Sequence, residues 1–168
     1  MSEFSHITKY RTPSELAEES AKFAAAGRRL VFTNGCFDLL HAGHVRYLRE
    51  ARALGDALVV ALNSDESVRE LKGPTRPVNG EADRAEVMSA LECVDFVTVF
   101  GEKRVDGLIR EVRPQVYAKG GDYTLETLDA GERGALEAAG TEIRLLGLVP
   151  GRSTTAILAR AKEPTQLD

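Results

Sequence analysis

The segment Asp56-Ala57-Leu58-Val59-Val60-Ala61-Leu62-Asn63 is apolar from its second residue to its seventh, with no polar alternation. A strand written this way is buried on both faces, as in a parallel sheet covered by helices on either side. The residues before it complete the unit. Arg29-Leu30-Val31-Phe32-Thr33 is a short apolar run that enters a polar, glycine-containing turn. Val45, Leu48, Ala51, Arg52 and Leu54 then recur at helical spacing until Gly55. Strand, helix and strand within about 35 residues make a βαβ unit. The pattern continues with a helix over 82–91, a strand over 96–100, a helix over 105–112, a strand over 114–118, a helix over 130–139 closed by Gly140, a strand over 142–146 and a helix over 153–162. This alternation predicts an α/β fold, a single Rossmann-like doubly wound domain of about five parallel strands.

A helical arm precedes the domain. Residues 1–11 read as extended. Thr12-Pro13-Ser14-Glu15 then carries a capping residue, a proline at the first helical position and the glutamate of a capping box. Leu16, Ala17, Ser20, Phe23 and Ala24 form the buried stripe, and Gly27 ends the helix. The expected division is an N-terminal arm and helix over 1–27, the main domain over 28–162 and a polar tail over 163–168. The chain has 168 residues, 43% hydrophobic and 29% charged, which suits one domain with a real core. Its formal net charge of -4 gives no basic footprint for a nucleic-acid backbone. No apolar run is long enough for a membrane span, and the N-terminus lacks the apolar core of a signal peptide. Cys36 and Cys93 have neither metal-ligand spacing nor a disulfide framework, and read as reduced thiols of a cytoplasmic protein.

In open α/β sheets, ligands bind beyond the carboxyl ends of the strands, where the strand order reverses. The loop after the first strand, Thr33 to His44, runs TNGCFDLLHAGH into a helix. Unpaired amides at a helix N-terminus favour phosphate, and Gly35 and Gly43 allow close approach to the backbone. His41 and His44, three residues apart, fall on one side of the helix start. Two imidazoles beside free amides suit a polyphosphate. Two other readings stand beside this one: surface decoration, or half of a metal site. With three histidines in all and His6 distant in sequence, a protein-only zinc site is poorly supplied. The loop matches neither the P-loop nor the dinucleotide fingerprint.

Other loops fall at the same edge. Lys72-Gly73-Pro74, with Arg76 close behind, suits phosphate contact or is a solvated basic loop. Lys119-Gly120-Gly121-Asp122 allows backbone approach to a nucleotide or sugar, or is a plain turn. Arg152-Ser153-Thr154-Thr155 opens the last helix as an anion site, with Ser153 also a natural N-cap. Arg84 stands at a helix start, where a cation gains nothing from the dipole. That points to a functional role, or to an ion pair with Glu81 or Glu86.

The segment from Thr33 to His44 resembles the signature of the cytidylyltransferase-like nucleotidyltransferases, whose hallmark is His-x-Gly-His. Leu71 to Asn79, Asp83-Arg84-Ala85-Glu86, Lys119 to Tyr123 and Gly151 to Thr155 resemble the heptose 1-phosphate adenylyltransferase branch, over roughly residues 28 to 160 and in the family's order. The glycerol-3-phosphate cytidylyltransferases share much of the pattern. The resemblance implies a nucleotidyltransferase-type fold and transfer of AMP from ATP to a sugar 1-phosphate, giving ADP-heptose and pyrophosphate. It implies catalytic roles for His41, His44 and Lys72. It implies substrate contacts from Asn34, Gly35, Cys36, Phe37, Asp38, Gly43, Arg84, Lys119, Gly120, Gly121, Asp122, Tyr123, Arg152, Ser153, Thr154 and Thr155, with Cys36 and Phe37 acting through backbone. Magnesium is expected as the ATP counter-ion, with no protein metal site. A homodimer is implied, as is a separate sugar kinase upstream, since a kinase precedes this domain in many bacterial relatives and only a short arm does so here. The alternatives are a cytidylyltransferase acting on glycerol 3-phosphate or a similar phosphorylated alcohol, and a non-catalytic nucleotide-binding sensor.

Overall fold

The computed structural model describes residues 3–121, 124–147 and 153–161. One sheet of five parallel strands, in the order β3-β2-β1-β4-β5, organises the chain. The strands are β1 (Leu30–Gly35), β2 (Ala57–Asn63), β3 (Phe96–Phe100), β4 (Val116–Gly120) and β5 (Glu142–Leu146). The helices are α1 (Pro13–Ala25), α2 (Ala42–Arg52), α3 (Asp65–Lys72), α4 (Glu81–Ser89), α5 (Asp106–Val112), α6 (Ala130–Ala139) and α7 (Thr154–Ala161). β1 lies between β2 and β4, so the chain switches direction across the sheet at the β1–β4 boundary. A ligand crevice is expected beyond the carboxyl ends of those two strands.

Strand alternation divides the core into two layers. Phe32, Val59 and Tyr117 face α1, α5 and α6, with Leu16, Phe23, Leu108, Ile109 and Leu136 packed against them. Val31, Val60 and Ala118 face α2 and α4, with Leu48, Ala51 and Met88. Both faces are covered, which is why the strands are written without polar alternation. Leu16 and Phe23 of α1 belong to the first layer, so this helix packs as part of the sheet's covering rather than projecting from it.

Local chemistry accounts for the helix ends. Thr12 Oγ1 accepts from the Glu15 amide, and Glu15 Oε2 accepts from the Thr12 amide at 2.7 Å, which completes the capping box. Residues 9–11 run along the outer edge of β3: the Val97 amide donates to the Lys9 carbonyl and the Arg11 amide to the Val97 carbonyl, both at 2.9 Å. The sheet edge is thereby covered.

The elements differ from the sequence-based reading in several places. Residues 3–8, read as extended, form turns in which the Ile7 amide donates to the Phe4 carbonyl at 3.0 Å. β1 and β4 continue to Gly35 and Gly120, so Asn34, Gly35, Lys119 and Gly120 are strand ends and not loop residues. An additional helix, α3, follows β2, capped by Ser64, whose Oγ accepts from the Ser67 amide. Lys72 therefore closes a helix instead of sitting on a loop. The polar sequence DESVRELK hides this helix, because its buried face rests on Ser67 and Val68 alone. The segment 163–168 and Lys162 lie outside the described residues.

Candidate active site

A cleft of about 800 Å³ opens where β1 and β4 end, bounded by the β1–α2 loop, the end of α3, the β3–α5 loop, the start of α6 and the start of α7. It crosses the sheet edge from the α2 face to the α6 face. Of the residues the sequence singled out, Asn34, Gly35, Cys36, Phe37, Asp38, His41, Gly43, His44, Lys72, Lys119, Gly120, Ser153, Thr154 and Thr155 line it. Arg84 and Gly121 do not line it. Asp122, Tyr123 and Arg152 lie outside the described residues.

The β1–α2 loop turns sharply to present the histidines. Phe37 adopts a left-handed backbone, φ 44°, and its ring lies over Gly35, where a Cβ would stand 2.9 Å from Phe37 Cε2. A side chain at 35 would push the Phe37 ring from this position. His41 is the N-cap of α2 without a side-chain capping bond, so the first amides of α2 are not consumed by their own cap. The His41 and His44 rings stack at 3.8 Å and 22°, and Phe37 meets His44 edge-on at 5.2 Å. Burial, with a smaller contribution from the charge of His41, lowers the His44 pKa to about 4. His44 is therefore a neutral imidazole at neutral pH, and its Nδ1 is buried without a hydrogen-bond partner among the described residues.

Asp38 lines the cleft, but its carboxylate is turned into the segment between α3 and α4. It accepts from Arg76 Nε at 2.6 Å, from the Val78 amide at 2.8 Å and from the Asn79 amide at 3.0 Å. Burial pushes this carboxyl up, but the Asn79 and Val78 amides and Arg76 together outweigh it and hold the carboxyl below its ordinary value. Asp38 thus joins the signature loop to residues 76–79. Arg76, which donates to Asp38 through Nε, also lines the cleft.

Arg84 sits behind the site. It is 3% exposed and donates to the Cys36 carbonyl at 2.7 Å, the Asn79 carbonyl at 3.0 Å and Asp65 Oδ1 at 2.8 Å. Its ion-pair partner is Asp65, not Glu81 or Glu86. Burial raises the Cys36 pKa despite the nearby charges of Lys72, Arg84 and Arg76. The thiol stays protonated, which fits a backbone contributor and not a nucleophile.

Gly120 has a structural reason beyond ligand access. A Cβ there would stand 2.7 Å from Tyr47 Cε2. The Tyr47 hydroxyl donates to the Ala118 carbonyl at 2.9 Å and shares a 2.6 Å hydrogen bond with Thr33, fixing α2 to the ends of β1 and β4. At α7, Ser153 Oγ accepts from the Ala156 amide at 3.1 Å, an N-cap bond. The Thr154 hydroxyl donates to the Leu39 carbonyl at 3.2 Å, which seats α7 on the signature loop.

Several cleft residues were not anticipated from sequence: Asn63 at the end of β2, Lys103 and Arg104 after β3, and Asp129 and Glu132 at the start of α6. The carboxyl-edge rule, applied to the second and third strands as it was to the first, identifies Asn63, Lys103 and Arg104. Glu132 carries a different signal, an acidic residue on the buried face of a helix.

Lys72 is exposed, lines the cleft and has no ion-pair partner among the described residues. Lys72→Ala should raise the KM for the nucleotide by about tenfold or more, the cost of one charge-assisted hydrogen bond. Thermal unfolding should be unchanged; a lower melting temperature would make Lys72 a structural residue instead.

Residues 32–157 match the family described as Cytidylyltransferase-like. The chain belongs to the cytidylyltransferase-like family. The family match identifies it as a nucleotidyltransferase. The chain is 54% identical over 136 residues to the bifunctional protein HldE of Geotalea uraniireducens, covering 81% of this chain and 27% of that protein. It is 52% identical over 148 residues to the HldE of Rhodopseudomonas palustris, covering 88% and 30%. The chain thus spans about three-tenths of the length of these curated relatives. The crystal structure of the lipopolysaccharide core biosynthesis protein from Thermoplasma volcanium GSS1 superposes with a TM-score of 0.59 at 30% identity, covering 73% of this chain and 98% of that one. The segment Thr33 to His44 supplies Asn34 to Asp38, His41, Gly43 and His44 to the cleft lining.

Proposed function

We propose that this chain transfers AMP from ATP to the phosphate of a heptose 1-phosphate, forming ADP-heptose and releasing pyrophosphate. The observation that carries the reading is the stacked His41–His44 pair at the open N-terminus of α2, inside a cleft also lined by Lys72, Arg76 and Lys103. An ionised acceptor phosphate is already nucleophilic, so no strong base is needed, and the residues act by positioning and by stabilising charge. The acceptor oxygen attacks the α-phosphorus in line, and the bond to the β-phosphate oxygen breaks. His41 and His44 donate to the triphosphate as charge moves to the departing pyrophosphate. Lys72 neutralises phosphate charge, and Thr155 with the first amides of α7 holds the β and γ phosphates. The choice of a heptose acceptor rests on the motifs shared with that branch and on the relatives named above.

The cleft offers imidazole, ammonium and guanidinium groups. No group of three His, Cys, Asp or Glu residues able to hold a metal occurs among the described residues. Magnesium enters with ATP, held mainly by phosphates and water. Cytoplasmic location, a homodimer, supply of the acceptor by a sugar kinase, and the boundaries 1–27, 28–162 and 163–168 are part of the same proposal. No described helix is long and apolar enough to cross a membrane.

Pyrophosphate release measured with ATP and with CTP, each against a heptose 1-phosphate and glycerol 3-phosphate, tests it. Turnover is expected with ATP and the heptose. Preference for CTP and glycerol 3-phosphate would replace the reading by the cytidylyl one, and nucleotide binding without turnover would make the chain a sensor.

A further inference from the structure

The α6 wall of the cleft is chemically unlike the α2 wall. Glu132, 8% exposed, accepts from Lys119 Nζ at 2.9 Å on Oε1 and 3.3 Å on Oε2, and its Oε1 also pairs with the Tyr117 hydroxyl. The Tyr117 hydroxyl oxygen also lies 2.7 Å from Asn34 Oδ1, and Lys119 Nζ donates to that hydroxyl at 3.2 Å. Asn34, Lys119 and Glu132 line the cleft.

A buried ion pair is poor value as a source of stability, because desolvation offsets the attraction. A buried carboxylate also repels a triphosphate, and Lys119, already paired, is a weak phosphate ligand. Donors and acceptors set side by side match groups that both donate and accept, namely hydroxyls. We propose that Asn34, Lys119 and Glu132 form the subsite that reads the ring hydroxyls of the acceptor sugar. This deepens the proposed function and rests on it. In-line displacement places the acceptor and the leaving pyrophosphate on opposite sides of the α-phosphorus. With pyrophosphate at the histidines and the α2 and α7 amides, the acceptor lies toward α6.

The subsite discriminates by penalty. An acceptor without the matching hydroxyls leaves buried polar groups unpaired, a stronger basis for rejection than fit in an apolar pocket.

Glu132→Gln and Asn34→Ala test the assignment, with initial rates measured for heptose 1-phosphate at saturating ATP and for ATP at saturating heptose 1-phosphate. Each variant should raise the KM for heptose 1-phosphate about 10- to 100-fold, the loss of one hydrogen bond to a charged or buried polar partner. The KM for ATP should stay within about twofold, the split that separates acceptor contact from a general effect on the site. The ratio of kcat/KM for heptose 1-phosphate over glycerol 3-phosphate should fall by the same factor as the acceptor KM rises. Unfolding profiles identify a variant that fails to fold, in which case Asn34→Ala decides alone. An unchanged acceptor KM overturns the subsite while leaving the function standing. A selective rise in the ATP KM overturns it too and assigns the wall to the ribose. A wild-type protein inert toward every sugar 1-phosphate overturns both readings together.

Discussion

His44→Ala should lower turnover by roughly two to three orders of magnitude, the loss found when one preorganised donor to a developing anion is removed. The ring is held on both sides, by the stack with His41 at 3.8 Å and by the edge of Phe37 at 5.2 Å, so it needs little reorganisation to serve the transition state. Its protonation state shapes the prediction. Burial, then the charge of His41, keeps the His44 pKa at about 4, so the free protein presents a neutral donor throughout the physiological range. The pH profile of kcat/KM should therefore show no His44 titration between about pH 5.5 and 8. Folding stability follows the same shift. A histidine depressed from 6.5 to about 4 binds its proton more readily when unfolded. Its effect is absent above pH 6.5 and destabilises progressively as the pH falls toward 4. Urea midpoints across that window should fall less steeply in His44→Gln than in the wild type. Near-normal turnover in His44→Ala would remove the imidazole from the mechanism.

What the sequence disclosed and what it hid follow from the range of the interactions involved. The apolar run of β2, the capping box at Thr12 and the Gly140 helix end are local signals, and the five strands appear where those signals place them. The signature loop was also legible, because a helix start after a buried strand needs no tertiary information to suggest phosphate binding. Asp38 was assigned to the ligand, and its carboxylate binds residues 76–79 from the cleft wall. Gly120 was assigned to ligand access, and its missing Cβ also accommodates Tyr47. In both cases the deciding partner is distant in sequence, about forty residues for Asp38, and single-residue chemistry cannot separate a carboxylate that binds substrate from one that ties two loops together. Glu132 escaped for a related reason. Its place on the same face as Ala135 and Leu136 marks it as buried, but only the packing of that helix on β4 brings it to Lys119 and Tyr117.

Arg84→Met carries the largest expected cost in stability, and it separates the two meanings that Arg84 had as a sequence position. The guanidinium reaches three segments at once: the Cys36 carbonyl in the signature loop, the Asn79 carbonyl before α4, and Asp65 at the start of α3, the helix that ends in Lys72. Methionine preserves length and apolar packing but supplies no donors. Removing one member of a buried pair costs about 3–5 kcal/mol. The Asp65 side chain is 30% exposed and regains water, so the lower end applies. At two to four degrees per kcal/mol for a domain of this size, the melting temperature should fall by roughly 10 °C. Arg84→Lys keeps the charge without the fork and cannot serve three acceptors in fixed directions, so a partial loss is expected. Turnover of the folded fraction should fall as well, because release of the Cys36 carbonyl loosens the loop that aims both histidines. An arginine that contacted the nucleotide directly would behave in the opposite way, raising the KM for ATP at unchanged melting temperature. That result would move Arg84 from the scaffold behind the cleft into the cleft itself.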